Sequence, residues 1–166
     1  MKKKIIVSAV LIAVVLIYLI LCYGPLIQFQ KERLTENEEA YNDFALFCYE
    51  CYTSDCKSGE IYSYAIDRDN PKELICYTTD VIYSLNKKQA ESAKIVCSTY
   101  SVCENTLDRI YIADNFVILG IVNGRGSLIY SINKKKPKFV NHPDEERCSI
   151  FVEKITDHWY YVCKQD

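Results

Sequence analysis

Three cysteines follow the pattern Cys48-x-x-Cys51-x4-Cys56, the one spacing in the sequence that resembles a metal or redox motif. A zinc site needs a fourth ligand and a reducing compartment, and a thioredoxin-like pair needs a strand before it and a helix after it. Here the cysteines fall at the end of a predicted helix. We therefore interpret them as members of structural disulfides, and we predict neither a metal site nor a redox catalyst.

The remaining candidates for chemistry are two histidines and two loops. His142 and His158 do not stand in a pattern with a nucleophile and a carboxylate that would specify a triad. The segment Lys134-Lys135-Lys136-Pro137-Lys138 could contact an acidic partner or anionic lipid, or could be a solvated turn. Asn123-Gly124-Arg125-Gly126 lacks the lysine and helix of a phosphate loop. We assign no catalytic, cofactor-binding or metal-binding residue, and we expect a protein that is not an enzyme.

The first residues of the chain have the composition of a membrane anchor. Residues 5–23 form an unbroken apolar run behind three lysines, and at about 1.5 Å per residue they span roughly 29 Å, the thickness of a bilayer core. We predict a cytoplasmic tail over residues 1–4 and an uncleaved signal-anchor helix over residues 5–27. Cleavage or lipid attachment at Cys22 is the alternative. Pro25 disfavours cleavage, and Leu21 is larger than the residue that precedes a lipidated cysteine.

Charge sets the orientation and the class of partner. Residues 31–56 carry two basic and seven acidic side chains, so the positive-inside rule keeps the N-terminus cytoplasmic and exports the rest. Residues beyond 30 have a net charge of −5, which argues against a nucleic-acid partner. Eight of the nine cysteines lie in this exported part, an even number that indicates disulfides in an oxidising compartment.

Residues 28–58 are predicted to form an acidic juxtamembrane helix and a cysteine-rich segment. Thr35-x-x-Glu38 is typical of a capping box, and the helix is expected to end near Tyr52. Its apolar stripe could dock on the following domain or mediate self-association. The stripe contains Leu34, Tyr41, Phe44, Ala45, Cys48 and Cys51.

Residues 59–166 are predicted to form an exported all-β antiparallel domain. Short runs of β-branched and aromatic residues alternate with polar turns. The run over 116–122 is apolar on both faces and should be a central, buried strand. The expected strands are 60–66, 73–78, 80–85, 93–98, 108–113, 116–122, 127–132, 138–141, 148–153 and 158–163.

Short internal repeats suggest how these strands are organised. Ile61-Tyr62-Ser63 recurs 21 residues later as Ile82-Tyr83-Ser84, an offset that also maps Cys76 onto Cys97, and again at Ile129-Tyr130-Ser131. The segments over 108–113 and 128–140 resemble one blade of a β-propeller. That resemblance implies hairpins as the building unit, although residues 59–166 are too few to close a propeller. We expect a meander or small sandwich of propeller-like hairpins.

Two statements about disulfides follow from the predicted strands. A four-residue turn over 154–157 would place Cys148 opposite Cys163, within the range of a disulfide. If the repeats each contribute a hairpin to one sheet, Cys76 and Cys97 would lie beyond the roughly 7 Å reach of a bond.

Together these features indicate a single-pass bacterial membrane protein with a periplasmic or extracellular C-terminal domain. The expected role is binding a partner protein, in an accessory or immunity-type capacity, while residues 5–27 contact the bilayer. An exported enzyme or a ligand-binding lipoprotein is the alternative. The sequence does not identify the partner or the oligomeric state.

Overall fold

The computed structural model describes residues 31–55, 60–67, 71–99, 107–121, 126–137 and 149–165. The predicted anchor over 5–27 lies outside these residues. Within them, no helix combines the length and apolarity needed to cross a bilayer. The chain divides into two units, Met1–Glu36 and Asn37–Asp166.

The described part of the first unit, residues 31–36, is helical. The hydroxyl of Thr35 donates a hydrogen bond to the backbone carbonyl of Lys31 at 2.7 Å. A threonine inside a helical turn commonly bonds back to the preceding turn in this way. The predicted role of Thr35 as an N-cap is therefore wrong.

In its described residues, the second unit contains two helices and eight strands. In chain order these elements are α1 (Glu38–Asp55), β1 (Tyr62–Ile66), β2 (Glu73–Cys76), β3 (Val81–Ser84), α2 (Lys87–Thr99), β4 (Leu107–Ala113), β5 (Phe116–Ile121), β6 (Gly126–Ser131), β7 (Ser149–Lys154) and β8 (Trp159–Gln165). These eight strands lie in one antiparallel sheet with the order β3-β2-β1-β4-β5-β6-β8-β7, which confirms the predicted antiparallel β architecture. The strand predicted to be central, β5, lies between β4 and β6.

Helix α2 replaces the strand predicted over 93–98. The side chains of Asn86 and Gln89 each accept a hydrogen bond from the other residue's backbone N–H, at 3.0 and 2.9 Å, which is a capping box in asparagine–glutamine form. The buried residues Ala93, Val96 and Cys97 recur at three- and four-residue spacing. A short apolar run fits a strand or a helix equally well, and here the cap decides in favour of the helix.

The order of a helix followed by three antiparallel strands occurs twice, as α1-β1-β2-β3 and α2-β4-β5-β6. Within this order Ile82-Tyr83-Ser84 and Ile129-Tyr130-Ser131 occupy equivalent strands, β3 and β6. The 21-residue offset has no such equivalent. It relates strand β2, with Cys76, to helix α2, with Cys97. The geometric argument that kept these two cysteines apart is therefore wrong, although the structure forms no disulfide between them, as predicted.

The β7–β8 hairpin has a different register from the predicted one. Val152 lies opposite Val162 rather than Trp159, a shift of three residues, and Phe151 lies opposite Cys163. The cause is a turn centred later in the chain, at Asp157, in which the backbone N–H groups of Ile155 and Thr156 both donate to the carbonyl of Trp159. The register that supported a Cys148–Cys163 disulfide is therefore wrong. Cys148 itself lies outside the described residues.

Helix α1 packs against one face of the sheet through aromatic side chains. Trp159 is fully buried, and its indole N–H donates to the Asn42 side-chain carbonyl at 2.8 Å. The ring of Tyr41 meets the ring of Trp159 edge to face at 5.6 Å. Near the end of α1, the hydroxyl of Tyr52 accepts from the N–H of Asp114 at 3.1 Å and donates to the carbonyl of Glu60 at 3.2 Å. These contacts fix both ends of α1 on the sheet.

Tyr161 should make the domain less stable at alkaline pH. Its ring lies over Gly126, where a Cβ would be 2.6 Å from Tyr161 Cζ. Burial raises the pKa of Tyr161 to about 12, and the neighbouring Cys163 adds to the rise. An exposed tyrosine ionises near a pH of about 10. The stability that the neutral ring contributes is therefore complete below about pH 10 and is lost as the pH rises towards 12.

We expect Tyr161→Phe to weaken this alkaline loss. The measurement is the urea midpoint of unfolding at about pH 9 and about pH 11.5, compared between parent and variant. Tyr77→Phe is the control, because the Tyr77 side chain is 57% exposed. An equal fall in the midpoint for the parent and Tyr161→Phe would contradict the assignment.

Candidate binding surface

The two faces of the sheet differ in how they are covered. On the face that meets α1, the inward side chains are buried along most of the sheet, from β2 to β8. They include Tyr62, Tyr64, Leu74, Ile110, Ile112, Val117, Leu119, Leu128, Tyr130, Trp159 and Tyr161. This face is the core of the domain. The opposite face, here called the outer face, is the one that could meet a partner.

One half of the outer face is occupied by the domain's own side chains. Ile129, Tyr160 and Val162 form a buried cluster, and partly buried Phe116, Ile118 and Val152 pack around it. The chain after β6 adds to this cover, because the Tyr160 hydroxyl donates to the carbonyl of Lys134 at 3.0 Å. The outer face of β5, β6 and β8 therefore carries a second, smaller hydrophobic cluster.

The other half of the outer face, at β1, β2 and β3, exposes large apolar side chains to solvent. Ile61, Tyr77 and Ile82 have exposed fractions of 67%, 57% and 58%, unusually high for large apolar side chains. They lie on three adjacent strands or their ends, since Ile82 is opposite Ile75 and Ile75 is opposite Ala65. The backbone N–H of Tyr77 donates to Ser63 on β1 at 2.9 Å. We call Ile61, Ile75, Tyr77 and Ile82 the β3 surface.

The β3 surface ends at an edge of the sheet. Strand β3 pairs with β2 on one side and is the last of the described strands in the sheet order. Its sequence, Val-Ile-Tyr-Ser, contains no charged residue, whereas the opposite edge strand β7 carries Glu153 and Lys154. Natural sheets commonly protect an edge with charge, proline or a bulge. Strand β3 has none of these within its four residues.

The turn before β3 holds this edge in place. The Thr78 hydroxyl accepts a hydrogen bond from the N–H of Ser63 at 3.1 Å, so the turn is tied to β1. Asp80 has a φ of 58°, a left-handed conformation that aspartate tolerates better than most residues. On the covered face, the Tyr83 hydroxyl donates to the carbonyl of Cys51 at 3.3 Å. Strand β3 is thus held to α1 on the covered face of the sheet, and its outer face is exposed to solvent.

Two of the three motif cysteines lie in the core rather than at this surface. Cys48 and Cys51, on α1, and Cys97, on α2, have exposed fractions of 0%, 5% and 2%. Burial raises the pKa of the Cys48 thiol well above its ordinary value, and nearby Cys51 and Cys97 raise it further. Cys56 lies outside the described residues. The described cysteines form no disulfide with one another, so the predicted structural disulfides do not join any two of them.

The remaining candidates from the sequence lie in separate places. His158 stacks on Tyr130, with ring centroids 5.0 Å apart, and its Nδ1 lies 2.8 Å from the carbonyl oxygen of Ser131. Lys134, Lys135 and Lys136 are exposed. The Lys134 side chain lies 4.0 Å from the carboxylate of Asp157. His142, Lys138 and the loop over 122–125 are outside the described residues. In the part of the chain that is described, no group of three or more Cys, His, Asp or Glu residues is arranged to hold a metal.

A shallow groove of about 230 Å³ lies between α1 and the start of α2. Asp43 and Lys88 line it and pair with each other at 2.6 Å. Their hydrogen bond and the negative charge of Asp43 raise the pKa of Lys88. Asp43 and Lys88 are already engaged with each other, although Glu50 also lines the groove. The groove is therefore a weaker candidate for a binding site than the β3 surface.

The β3 surface could not be identified from the sequence. Ile82-Tyr83-Ser84 and Ile129-Tyr130-Ser131 read identically, yet one isoleucine is 58% exposed and the other 1%. The sequence feature that could have indicated this surface is the lack of charged residues in β3. Comparison with known proteins finds no matching family model, no similar curated protein and no similar solved structure.

Proposed function

We propose that the chain is a single-pass envelope protein, anchored by residues 5–27, whose exported domain binds a partner protein through the β3 surface. The anchor and its orientation follow from the apolar run and the lysines before it. The role is binding in an accessory or immunity-type capacity rather than catalysis. The propeller-like character of the hairpins belongs to the same proposal and stays a prediction.

The contrast between the two halves of the outer face carries this proposal. The same face of one continuous sheet is packed at β5, β6 and β8 and bare at β1, β2 and β3. Solvent exposure of several large apolar side chains in one patch is unfavourable, and such patches mark interaction sites. Covering Ile61, Tyr77 and Ile82 would give this half of the sheet the environment that Ile129 already has.

The unprotected edge suggests the kind of partner. An extended segment can add to β3 as a further strand, with its backbone groups pairing along Val81–Ser84. Alternate side chains of that segment would then lie over Ile82 and Tyr77, so they should be apolar. We propose a partner that supplies an extended strand with apolar residues at alternate positions.

Site-specific crosslinking in intact cells tests the binding role. A photo-crosslinking residue replaces Ile82 or Tyr77 in the full chain, and Lys94, which is exposed on α2, serves as the matched control position. We expect a discrete adduct from positions 82 and 77 that is absent from position 94. Ile82→Asp, combined with the probe at position 77, should abolish the adduct. Equal adducts from all three positions, or none from any, would contradict the proposal.

A reporter fusion tests the location separately. A phosphatase fused after Asp166 should be active, and a fluorescent protein that folds only in the cytoplasm should be dark at the same position. The reverse pattern would refute the exported placement and leave the crosslinking result to be interpreted on its own.

A further inference from the structure

The six strands from β1 to β6 form two equivalent units, β1-β2-β3 and β4-β5-β6. Leu74 on β2 lies opposite Tyr83 on β3, and Val117 on β5 lies opposite Tyr130 on β6. The other opposed pairs correspond in the same order: Glu73 with Ser84 to Phe116 with Ser131, Ile75 with Ile82 to Ile118 with Ile129, and Cys76 with Val81 to Leu119 with Leu128. Strands β3 and β6 are therefore equivalent in position and register.

A two-fold axis at the β1–β4 seam relates the two units. Tyr64 lies opposite Ile110 across this seam. These two residues are also equivalent, because Tyr64 pairs with Cys76 on β2 as Ile110 pairs with Leu119 on β5. An equivalent pair that lies directly opposite marks the axis. An axis perpendicular to the sheet leaves each face on its own side, so the covered face of β3 corresponds to the covered face of β6.

The equivalence continues past the ends of β3 and β6. The backbone N–H of Leu85 donates to the carbonyl of Lys72 at 2.8 Å, and the N–H of Ile132 donates to the carbonyl of Asn115 at 2.9 Å. Each bond joins the residue after the edge strand to the residue before its hairpin partner. The two edges can therefore be compared residue by residue.

Only one of these equivalent edges has a further neighbour among the described strands. Strand β8 runs antiparallel to β6 and places Trp159 opposite Tyr130 and Tyr161 opposite Leu128. Both of these β6 side chains are buried. No described strand takes the corresponding place beside β3.

The side chains on the covered face of β3 are accordingly more exposed than their equivalents. Val81 is 37% exposed, whereas the equivalent Leu128 is 1% exposed. Tyr83 is only partly buried, whereas Tyr130 is buried. The apolar core extends one strand further beyond β6 than beyond β3. A strand added at β3 would therefore bury side chains on the covered face as well as on the outer face.

We infer that the strand received by β3 is a counterpart of β8. It runs antiparallel to β3 and places an aromatic side chain on the covered face opposite Tyr83, as Trp159 lies opposite Tyr130. Its next residue faces outward beside Ile82, and the one after that places an apolar side chain opposite Val81. This inference rests on the proposed binding role of β3 and adds the direction, the register and the aromatic residue of the partner strand.

One difference between the two units limits the second position on the covered face. The ring of Tyr161 lies over Gly126, which has no Cβ to obstruct it. The alignment of β3 with β6 brings Thr79 to the place of Gly126, and threonine carries a branched Cβ. The partner residue opposite Val81 should therefore be smaller than tyrosine, such as valine.

A peptide copy of β8 is the probe that tests this inference. It covers residues 156–165 with Tyr161→Val, which allows for Thr79, and with Cys163→Ser, which removes the thiol. The control peptide also carries Trp159→Ser. We expect the control to bind more weakly by about tenfold or more, because a buried tryptophan commonly dominates the energy of an interface. Equal binding of the two peptides would overturn the inference.

Photo-crosslinking in the full chain, purified in detergent, measures the site and the direction of binding. A photo-crosslinking residue replaces Ser84, which corresponds to Ser131, and the backbone N–H of Ser131 donates to the carbonyl of His158 at 2.8 Å. We therefore expect an adduct in the N-terminal half of the peptide, located by mass spectrometry. An adduct in the C-terminal half, or no adduct, would contradict the expected strand.

Two variants of the protein test whether the peptide contacts the covered face of β3. Val81→Lys places a charge beside the expected aromatic residue and should reduce the adduct by about tenfold or more. Phe151→Lys is the matched control, because Phe151 is 40% exposed and lies on β7, at the other end of the described sheet. The melting temperatures of both variants are measured first. Equal reductions would argue against the inference, as would a crosslinked dimer without peptide, which would indicate that β3 pairs with a second copy.

The Val81→Lys variant also separates this inference from the proposed function. In intact cells it should remove the adduct expected from a probe at position 77. If that adduct persists with Val81→Lys but is lost with Ile82→Asp, the partner binds the outer face alone, and the counterpart of β8 is refuted while the binding role stands. If the peptide binds in the expected register but no adduct forms in cells, the register is correct and the binding role fails.

Discussion

Replacing Trp159 by alanine should lower the free energy of unfolding by about 3–5 kcal/mol. Trp159 is fully buried and is the one tryptophan in the sequence. It contacts Tyr41 on α1 and Tyr130 on β6, with ring centroids 5.6 and 5.1 Å away. Its removal would open a large cavity and break the hydrogen bond to Asn42. The measurement is urea unfolding followed by far-ultraviolet circular dichroism.

Trp159→Phe is the matched control for this prediction. Phenylalanine keeps an aromatic ring between Tyr41 and Tyr130 but loses the N–H that Asn42 accepts. We expect a smaller loss, on the order of 1–3 kcal/mol, because one hydrogen bond and part of the ring volume are removed. A loss below about 1 kcal/mol for the alanine variant would show that α1 is not held to the sheet through Trp159.

The second large effect separates two isoleucines in identical tripeptides. Ile129→Ala should cost about 2–5 kcal/mol, because Ile129 is 1% exposed and packs with Tyr160 and Val162. Ile82→Ala should change stability by less than about 0.5 kcal/mol, because Ile82 is 58% exposed. The same Ile82 change should weaken the adduct expected from position 77. The two substitutions therefore separate stability from binding.

Urea midpoints measure the stability arm of this prediction, and crosslinking yield measures the binding arm. Equal stability losses for the two variants would mean that the β3 surface is covered in solution by the domain itself. A normal adduct with Ile82→Ala would mean that the partner contacts a different part of the edge. Either result would require the binding surface to be reassigned.

Most strands could be predicted because their sequences carry local signals. Alternation of apolar residues and clear turns placed all eight observed strands within two residues of their bounds. The prediction failed at α2, where the apolar run at Ile95-Val96-Cys97 fits either element. The missing information was Gln89, whose side chain accepts from the Asn86 N–H and completes the cap. A capping box with asparagine and glutamine is a weaker sequence signal than one with threonine and glutamate.

A comparison of two similar segments shows why local sequence was not sufficient. Asn86-Lys87-Lys88 begins a helix, whereas Asn133-Lys134-Lys135 forms a turn in which the Asn133 side chain accepts from the Lys135 N–H at 3.0 Å. The first is followed by Gln89 and Ala90, which favour a helix, and the second by Lys136 and Pro137. Proline also disfavours a helical conformation at the residue before it. Gln89 and Ala90 therefore favour the helix α2 after β3, whereas Lys136 and Pro137 favour a turn that stays beside β6.

The exposure of the β3 surface follows from that difference and could not be read from β3 itself. After β6 the chain stays beside Tyr160 and contributes to the outer face, through the contact with Lys134. After β3 it enters α2, which packs on α1. The prediction of the β7–β8 register failed for a related reason. A one-residue change in turn length is invisible in a sequence of alternating residues, and an odd shift in register moves Val152 to the other face.

The pairing of β1 with β4 also has a consequence for how the domain assembles. Tyr62 lies opposite Ile112 and Tyr64 opposite Ile110, so this seam joins chain segments about 46 to 50 residues apart. The strands on either side of it are joined by consecutive hairpins, β1-β2-β3 and β4-β5-β6. Nonlocal pairing carries a larger loop-closure entropy than a hairpin. We therefore expect the two three-strand units to form first in folding, and the β1–β4 seam to be the last to close and the first to open.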